Sequence, residues 1–462
     1  LIKLNLPELD FISYMKQDEL LIFMSIFILS LFVLKNFFLM LVHYLQSLFN
    51  YKVVLNNSKK IFGKYLYSDY SFHLNRNSAT LIKNITNEIS LSVTFFSSIL
   101  FLLREIVIFL LICMLLLINS PISFSYIAII FLFFLILYYQ LLKKKVSSSG
   151  KKFYDSRGKL VFAIQQSLGF IKEIILLNKR NIFYDYFENN LDITEKQNIF
   201  VNVINKIPRL GFELIAVLIC LLIVNYFFKN SQNDLLPILT LYGISMIRLI
   251  PSYTGISTSI INIKFFKASF DLICKELSLE NSKIIDDESK LYGHDLEYEA
   301  NKIIKINNLS FSYKEKNDVL KNINFDFITG QAIGIVGSSG SGKTTLGDLI
   351  MGLYKPQSGL ITIDEKDISE FPNHWKSMIG YVPQEVFILD ANIKNNIAVE
   401  FDEKKINLDR LNKAIKFSNC EEFINQLPNK LDTEVGERGV RLSGGQRQRI
   451  GIARVLYKDP NI

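Results

Sequence analysis

Five apolar stretches, near 19–46, 94–118, 122–142, 211–228 and 236–262, interrupt a polar pattern in the first part of the chain. Each is long enough for a helix rising about 1.5 Å per residue to cross about 30 Å of hydrocarbon. The polar gaps between them are very unequal. INSPIS separates the second stretch from the third and KNSQNDLLP the fourth from the fifth, and both are short and nearly free of basic residues. The gaps 47–93 and 143–210 are long, amphipathic and poor in Gly and Pro. One carries Lys52, Lys59, Lys60 and Lys64, the other Lys143 to Lys145, Lys151, Lys152, Arg157 and Lys159. The positive-inside tendency puts such gaps on the cytoplasmic side. Their length predicts helical arms reaching roughly 40 Å out of the membrane, where they must meet something.

The pattern changes after about residue 263. KELSLENSKIIDDESKLYGHDLEYEANK is acidic, polar and irregular and reads as a linker, placed at 266–300 between a membrane domain (1–265) and a second domain (301–462). In the second domain, short β-rich runs such as IIKINNLSFSY, QAIGIVG and GLITID alternate with glycine turns and helical stretches, the pattern of an α/β domain.

Composition narrows the class. At 49% hydrophobic and 21% charged residues the chain is too apolar for an ordinary soluble enzyme. The net charge of +8 comes from lysines flanking apolar runs, as in YYQLLKKKVSSSGKK, so it points to a membrane partner and not to nucleic acid. Cys113, Cys220, Cys274 and Cys420 are far apart, without metal-ligand spacing, and are expected as free thiols. The bias toward Ile, Lys and Asn fits an AT-rich bacterial genome. With the second domain in the cytosol, five crossings leave Leu1 outside without a secretory signal, so a further span is expected ahead of residue 1.

QAIGIVGSSGSGKTTLGDLIMGL reads as a buried strand, a glycine-rich turn and a helix. Gly337, Gly340 and Gly342, with Ser338, Ser339 and Ser341 between them, let backbone amides turn inward around phosphate oxygens, and the helix adds its positive end. Lys343 is placed to reach the β- and γ-phosphates of a nucleotide, Thr344 to ligate Mg²⁺ through its hydroxyl, and Thr345 to add a phosphate contact. Near the other end, LSGGQ (Leu442, Ser443, Gly444, Gly445, Gln446) opens the helix QRQRIGIARVL. Its exposed amides and hydroxyl make a second anion site.

With these motifs in place, the chain resembles the ATP-binding cassette transporters over essentially its whole length. The resemblance implies a polytopic α-helical transmembrane domain of the type I exporter (type IV ABC) fold, five of six helices present, followed by an incomplete α/β P-loop NTPase domain. It places Tyr313 where the family stacks an aromatic ring on adenine, although taken alone Phe311 and Tyr313 read as plain strand alternation. Gln384 in YVPQ falls at the loop that senses the γ-phosphate and Mg²⁺. LSGGQ would face the phosphate held by a second subunit, so that two cassettes enclose two ATP molecules. Arg447 and Arg449 after it read as a solvated helix face. TEVGERG (433–439) resembles the loop that touches the projecting helices. In the family, a strand ending in Asp-Glu and then a switch histidine come after DPNI. His43, His73, His294 and His374 all precede the signature, so the chain reads as a fragment cut at both ends of an active ATPase. The implied protein is a half-transporter, homodimeric or heterodimeric, multi-pass in a bacterial inner membrane with its cassette in the cytoplasm.

The cargo is less legible. Charged residues inside spans cost at least about 2.5 kcal/mol at the bilayer centre, which singles out Arg104, Glu105 and Arg248 as substrate-path candidates. Adjacent residues point about 100° apart on a helix, so Arg104 and Glu105 cannot both face lipid and are not expected to be each other's only partner; inter-helix ion pairing or snorkelling near the inner leaflet is the plain reading. Arg248 in RLIPS resembles cavity arginines of exporters that flip lipid-linked oligosaccharides. Drug, lipid or peptide export and an ATP-gated, non-pumping regulator or channel are the alternatives.

Overall fold

The computed structural model describes residues 17–119, 121–230, 235–279, 303–313 and 318–462. The opening residues, most of the expected linker, His294 and part of both short loops lie outside them. The chain divides into two compact units. One comprises 1–68 and 75–282, the other 69–74 and 283–462.

Five long helices carry the five apolar stretches of the first unit: α1 (Gln17–Leu66), α4 (Ile89–Asn119), α5 (Pro121–Gly169), α8 (Ile207–Asn230) and α9 (Leu235–Leu277). At 50 residues, α1 is about 75 Å long, so its polar end runs far beyond any bilayer. Among the described residues, Leu21–Leu66 and Ser78–Ile118 are long and apolar enough to cross a membrane. Phe23, Phe27, Phe32, Phe37 and Phe38 of α1 are all exposed, as residues facing hydrocarbon would be. Shorter helices fill the polar gaps: α2 (Tyr70–Leu74), α3 (Ser78–Lys83), α6 (Ile171–Leu176) and α7 (Arg180–Ile204).

Small residues and stacked rings set the packing around α9. An added Cβ at Gly255 would lie 2.8 Å from the Glu105 side chain and 2.9 Å from the Phe101 ring, so α4 and α9 touch closely only because residue 255 is glycine. Phe95 stacks on Phe270 with ring centres 4.3 Å apart, and Phe212 of α8 stacks on Tyr253 at 4.9 Å. Leu116, Phe212, Ala216, Met246, Leu249 and Tyr253 form one buried cluster, and Val146, Phe153, Val201, Ile204, Ile261 and Phe265 another. Polar bonds join α5 to α7, from Ser149 to Gln197 (2.6 Å) and from Thr194 to Ser156 (2.8 Å).

Between α3 and α4 the backbone makes a π turn, Asn84–Glu88. Lys83 and Glu88 are buried there, 3.7 Å apart, and the Lys83 ammonium lies 3.5 Å from the centre of the Tyr154 ring.

Two expectations change here. The polar pattern predicts a linker from 266, but α9 stays helical to Leu277, because Ser269 and Ile273 continue the buried face begun by Ile261 and Phe265. Among the described residues, Arg104 and Glu105 pair with each other and not with a charged group on another helix. Arg104 folds back along α4, donating from Nη2 to Glu105 Oε1 at 2.8 Å, with its guanidinium 4.3 Å from the Phe101 ring centre. A long, flexible guanidinium arm bridges the angular offset that separates the two Cβ atoms.

The second unit has two cores. A four-stranded antiparallel sheet runs in the order β2 (Leu320–Ile328), β1 (Ile303–Phe311), β3 (Ser358–Ile363), β4 (Lys366–Asp367), with Ile304 opposite Phe327 on one side and Ile363 on the other. Its buried face, Ile304, Ile306, Leu309, Phe311 and Ile361, packs on Leu349 of α10 (Lys343–Ile350) and Trp375 of α11 (Pro372–Met378). The second core is helical. It gathers Ile393 and Ile397 of α12 (Ile393–Ala398), Leu411 and Ala414 of α13 (Leu408–Phe417), Phe423 of α14 (Glu421–Asn425), and Ile450 and Ala453 of α15 (Gly444–Lys458).

The buried strand expected at QAIGIVG is not formed. Residues 331–338 lie outside any strand and are exposed, Val336 to 93%. A strand needs neighbours for its N–H and C=O groups. The four strands of the sheet pair with one another, and none among the described residues pairs with this stretch.

Candidate functional site

The glycine loop leads into α10 through Gly342, whose φ is +89°. An added Cβ there would also lie 2.8 Å from Leu320 Cδ2, so conformation and space both call for glycine. This turn leaves the first N–H groups of α10 at the loop, and the first one taken up inside the helix is that of Leu346, which donates to the Gly342 carbonyl. Lys343 curls over the loop, donating from Nζ to the carbonyls of Gly337 (2.9 Å) and Ser338 (2.7 Å). Ser339 and Gly340 form the exposed turn beneath it, and Ser341 N–H closes back on the Ser338 carbonyl at 3.3 Å. One ammonium and several unshared amides thus surround an open, exposed loop, a donor set suited to phosphate.

Thr344 is exposed at the start of α10. Thr345 is buried, and its hydroxyl lies 3.0 Å from that of Tyr313. Tyr313 is part of an aromatic group, edge-on to Phe311 (5.0 Å) and to Tyr354 (5.6 Å), and it is partly exposed. Tyr70 of α2, which clusters with this unit, meets Tyr354 edge-on at 5.7 Å. Desolvation, with the neighbouring Tyr313 and Asp348, pushes the Tyr354 hydroxyl up to about 12.

LSGGQ is built on a cap. The Ser443 hydroxyl accepts from Gln446 N–H at 3.2 Å, and the Gln446 side chain accepts from Ser443 N–H at 2.8 Å. This reciprocal box fixes the start of α15 while Gly444 and Gly445 remain exposed with open space around them. Leu442 anchors the loop in the helical core. Arg447 is not a solvated side chain as expected, because its Nη1 donates to the Leu442 carbonyl at 2.9 Å. The exposed Arg449 reaches the Asn419 carbonyl at 3.3 Å.

Gln384 is exposed in the irregular stretch after α11, and α15 holds that stretch from both sides. Upstream, Lys458 Nζ donates to the carbonyls of Lys376 (2.7 Å) and Ile379 (2.6 Å), and Gly380 N–H donates to the Ile462 carbonyl (2.8 Å). Downstream, Arg454 donates to the carbonyls of Phe387 and Asn396, each at 3.0 Å. Burial lowers the Arg454 pKa. Sequence reasoning missed Arg454, since nothing in QRQRIGIARVL separates it from the arginines beside it. One helix therefore begins with the signature and ends by positioning the Gln384 stretch.

The membrane candidates do not converge. Arg248 is exposed on α9. The cavity beside it is lined by Phe101, Arg209, Glu213, Ile250, Pro251 and Gly255, among others, but not by Arg248. Glu105 is buried and paired with Arg104. The three described cysteines, Cys113, Cys274 and Cys420, are free.

Two family models match the chain. The ABC transporter transmembrane region covers residues 8–248, and the ABC transporter model covers 320–462. The heterocyst differentiation ATP-binding protein HepA of Nostoc is 32% identical over 285 residues, 62% of this chain and 45% of that protein. The multidrug resistance protein pgp-1 of Caenorhabditis elegans is 29% identical over 339 residues, 68% of this chain and 24% of its own length. An uncharacterized ABC transporter ATP-binding protein of Bacillus subtilis, YfiB, is 45% identical over 161 residues, 34% of this chain and 28% of that one. These matches thus span less than half of each curated relative. In fold, the structure of a bacterial Atm1-family ABC exporter with ATP bound is similar at a TM-score of 0.74 and 20% identity, covering 90% of this chain and 72% of the other.

Proposed function

The chain belongs to the ABC transporter family, a membrane region fused ahead of a nucleotide-binding region, and on that premise we propose that it is the half-subunit of an ATP-driven exporter or flippase. The observation that carries the reading is the Lys343 ammonium folded over the Gly337 and Ser338 carbonyls at the start of α10. Those carbonyls are weak acceptors compared with a phosphate, so Lys343 is held ready to exchange them for the anion. The loop amides would take the remaining phosphate oxygens, and the Tyr313 ring would lie against the base.

Thr344 and Gln384, both hard-oxygen donors exposed in this unit, fit Mg²⁺. Bound there, the ion would neutralise charge on the β- and γ-phosphates. Two chains, identical or different, would each offer Ser443, Gly444, Gly445 and Gln446 to the phosphates held by the other. The site belongs in the cytoplasm of a bacterial cell, with the membrane unit in its inner membrane. For the cargo, the reading is an amphiphile such as a lipid-linked oligosaccharide, whose diphosphate would pair with Arg248, a cation exposed on a membrane helix. The similarity to a multidrug resistance protein over 68% of this chain favours a second cargo, apolar drugs.

The test is ATP hydrolysis by the full transporter in nanodiscs, with Lys343→Ala as control, while lipid-linked oligosaccharide, drugs and short peptides are added in turn. Stimulation by the lipid-linked sugar that Arg248→Ala abolishes supports the flippase. Stimulation by drugs alone moves the cargo to the second reading. ATP binding without hydrolysis would leave a nucleotide-gated regulator and overturn the pump.

A further inference from the structure

The chain passes between its two units three times, after residues 68, 74 and 282. One side-chain network gathers the segments next to all three passages. Lys64, buried near the end of α1, donates from Nζ to the Leu277 carbonyl and, at 2.7 Å, to that of Leu279. Leu277 ends α9, so Lys64 supplies both a donor and a positive charge where the helix has unshared carbonyls and a negative pole. Tyr65 donates its hydroxyl to Glu276 Oε2 at 3.1 Å and accepts from Asn84 Nδ2 at 3.0 Å. Arg76, just past the second passage, places Nη1 2.8 Å and 2.7 Å from the two Glu276 oxygens.

We infer that Lys64, Tyr65, Arg76 and Glu276 form a clamp that makes the three passages move together, so that nucleotide-driven motion of one unit reaches α1, α3 and α9 as a single displacement. This rests on the transporter reading above. Three features support it. The partners are about 200 residues apart in sequence (200 for Arg76 and Glu276, 213 for Lys64 and Leu277), so no local structure demands the network. Glu276 is almost fully buried, and a buried carboxylate is costly unless every partner stays in place. The network therefore resists partial opening and favours movement as one body. Finally, apolar packing would hold three segments together at least as firmly, so what the charges add is a fixed register. These are positioning residues, acting through the segments they join.

The test uses the full transporter in nanodiscs and follows amide hydrogen exchange in α4 and α9 with and without Mg-ATP, beside the affinity for a fluorescent ATP analogue. In Glu276→Gln, ATP affinity should stay within about twofold while the ATP-induced change in exchange falls at least about fivefold, the low end of ordinary coupling between sites. Arg76→Lys should retain the response, because a single nitrogen serves both carboxylate oxygens in the parent. If Glu276→Gln misfolds, Arg76→Gln and Lys64→Gln are read in the same way. A response that persists in these variants, or that falls only in proportion to ATP affinity, overturns the clamp. If the parent binds no ATP, the transporter reading fails first and takes the clamp with it.

Discussion

Arg454→Met isolates the tie between α15 and the stretch after Gln384. The methionine keeps most of the aliphatic body but removes the donors to the Phe387 and Asn396 carbonyls, both at 3.0 Å, and the longer contact to Asn396 Oδ1 at 3.4 Å. Hydrogen bonds from a charged group contribute about 1.5–3 kcal/mol each, and desolvation of the guanidinium offsets part of that, leaving about 2–4 kcal/mol for two good bonds. The loss should fall on the segment that the arginine holds. Leu389 N–H donates to Asn396 Oδ1, Asn396 N–H to the Asn392 carbonyl and Val399 N–H to the Asn395 carbonyl. At about 1.4 kcal/mol per decade, those three amides should exchange about 30- to 700-fold faster in the variant. Hydrogen exchange by mass spectrometry on the complete chain in detergent measures this directly. A rise below about threefold, or one spread evenly over the second unit, would refute the argument that Arg454 is the local fastener.

Three further outcomes are expected. Ser443→Ala should cost about 1 kcal/mol through loss of the cap and fray the first turn of α15, seen as faster exchange at Gln446 and Arg447 while Ile450 is unchanged. Gly255→Ala should lower the thermal midpoint of the membrane unit, since its Cβ meets Glu105 and Phe101 below 3.0 Å and overpacking of this kind costs about 1–3 kcal/mol. Tyr354 should ionise near 12 in the folded chain, against about 10 when unfolded, so the folded state holds the extra proton. Its stabilising contribution is complete below pH 10 and lost as the pH rises to 12. Ultraviolet titration of the parent against Tyr354→Phe reads the difference.

The glycine loop and the signature were legible because their chemistry is local: Gly342 needs its φ of +89° whatever surrounds it, and the Ser443–Gln446 cap lies within one turn. The long helices were legible for the same reason, since twenty apolar residues in a row have few other uses. What failed depended on partners distant in sequence. QAIGIVG has the composition of a buried strand, yet a strand forms only beside another, and no alternation within the stretch reveals whether one is there. The pairing of the Thr345 hydroxyl with that of Tyr313 was not legible either, since the two lie 32 residues apart. Nothing in the sequence singled out Arg454 or Glu276, because their partners lie 58 and 200 residues away.

The π turn at Asn84–Glu88 governs which changes of length this chain can survive. A π turn is an α-helix with one residue too many. Deleting one residue within 84–88 lets the turn close as ordinary helix, at the expense of the Lys83 and Glu88 pair, and leaves the face of α4 in phase. Deleting one residue inside α4 rotates everything after it by about 100°, carrying Leu116 away from Phe212 and Met246. Lineages of this chain should therefore lose or gain single residues at the π turn and hold the length of α4 constant.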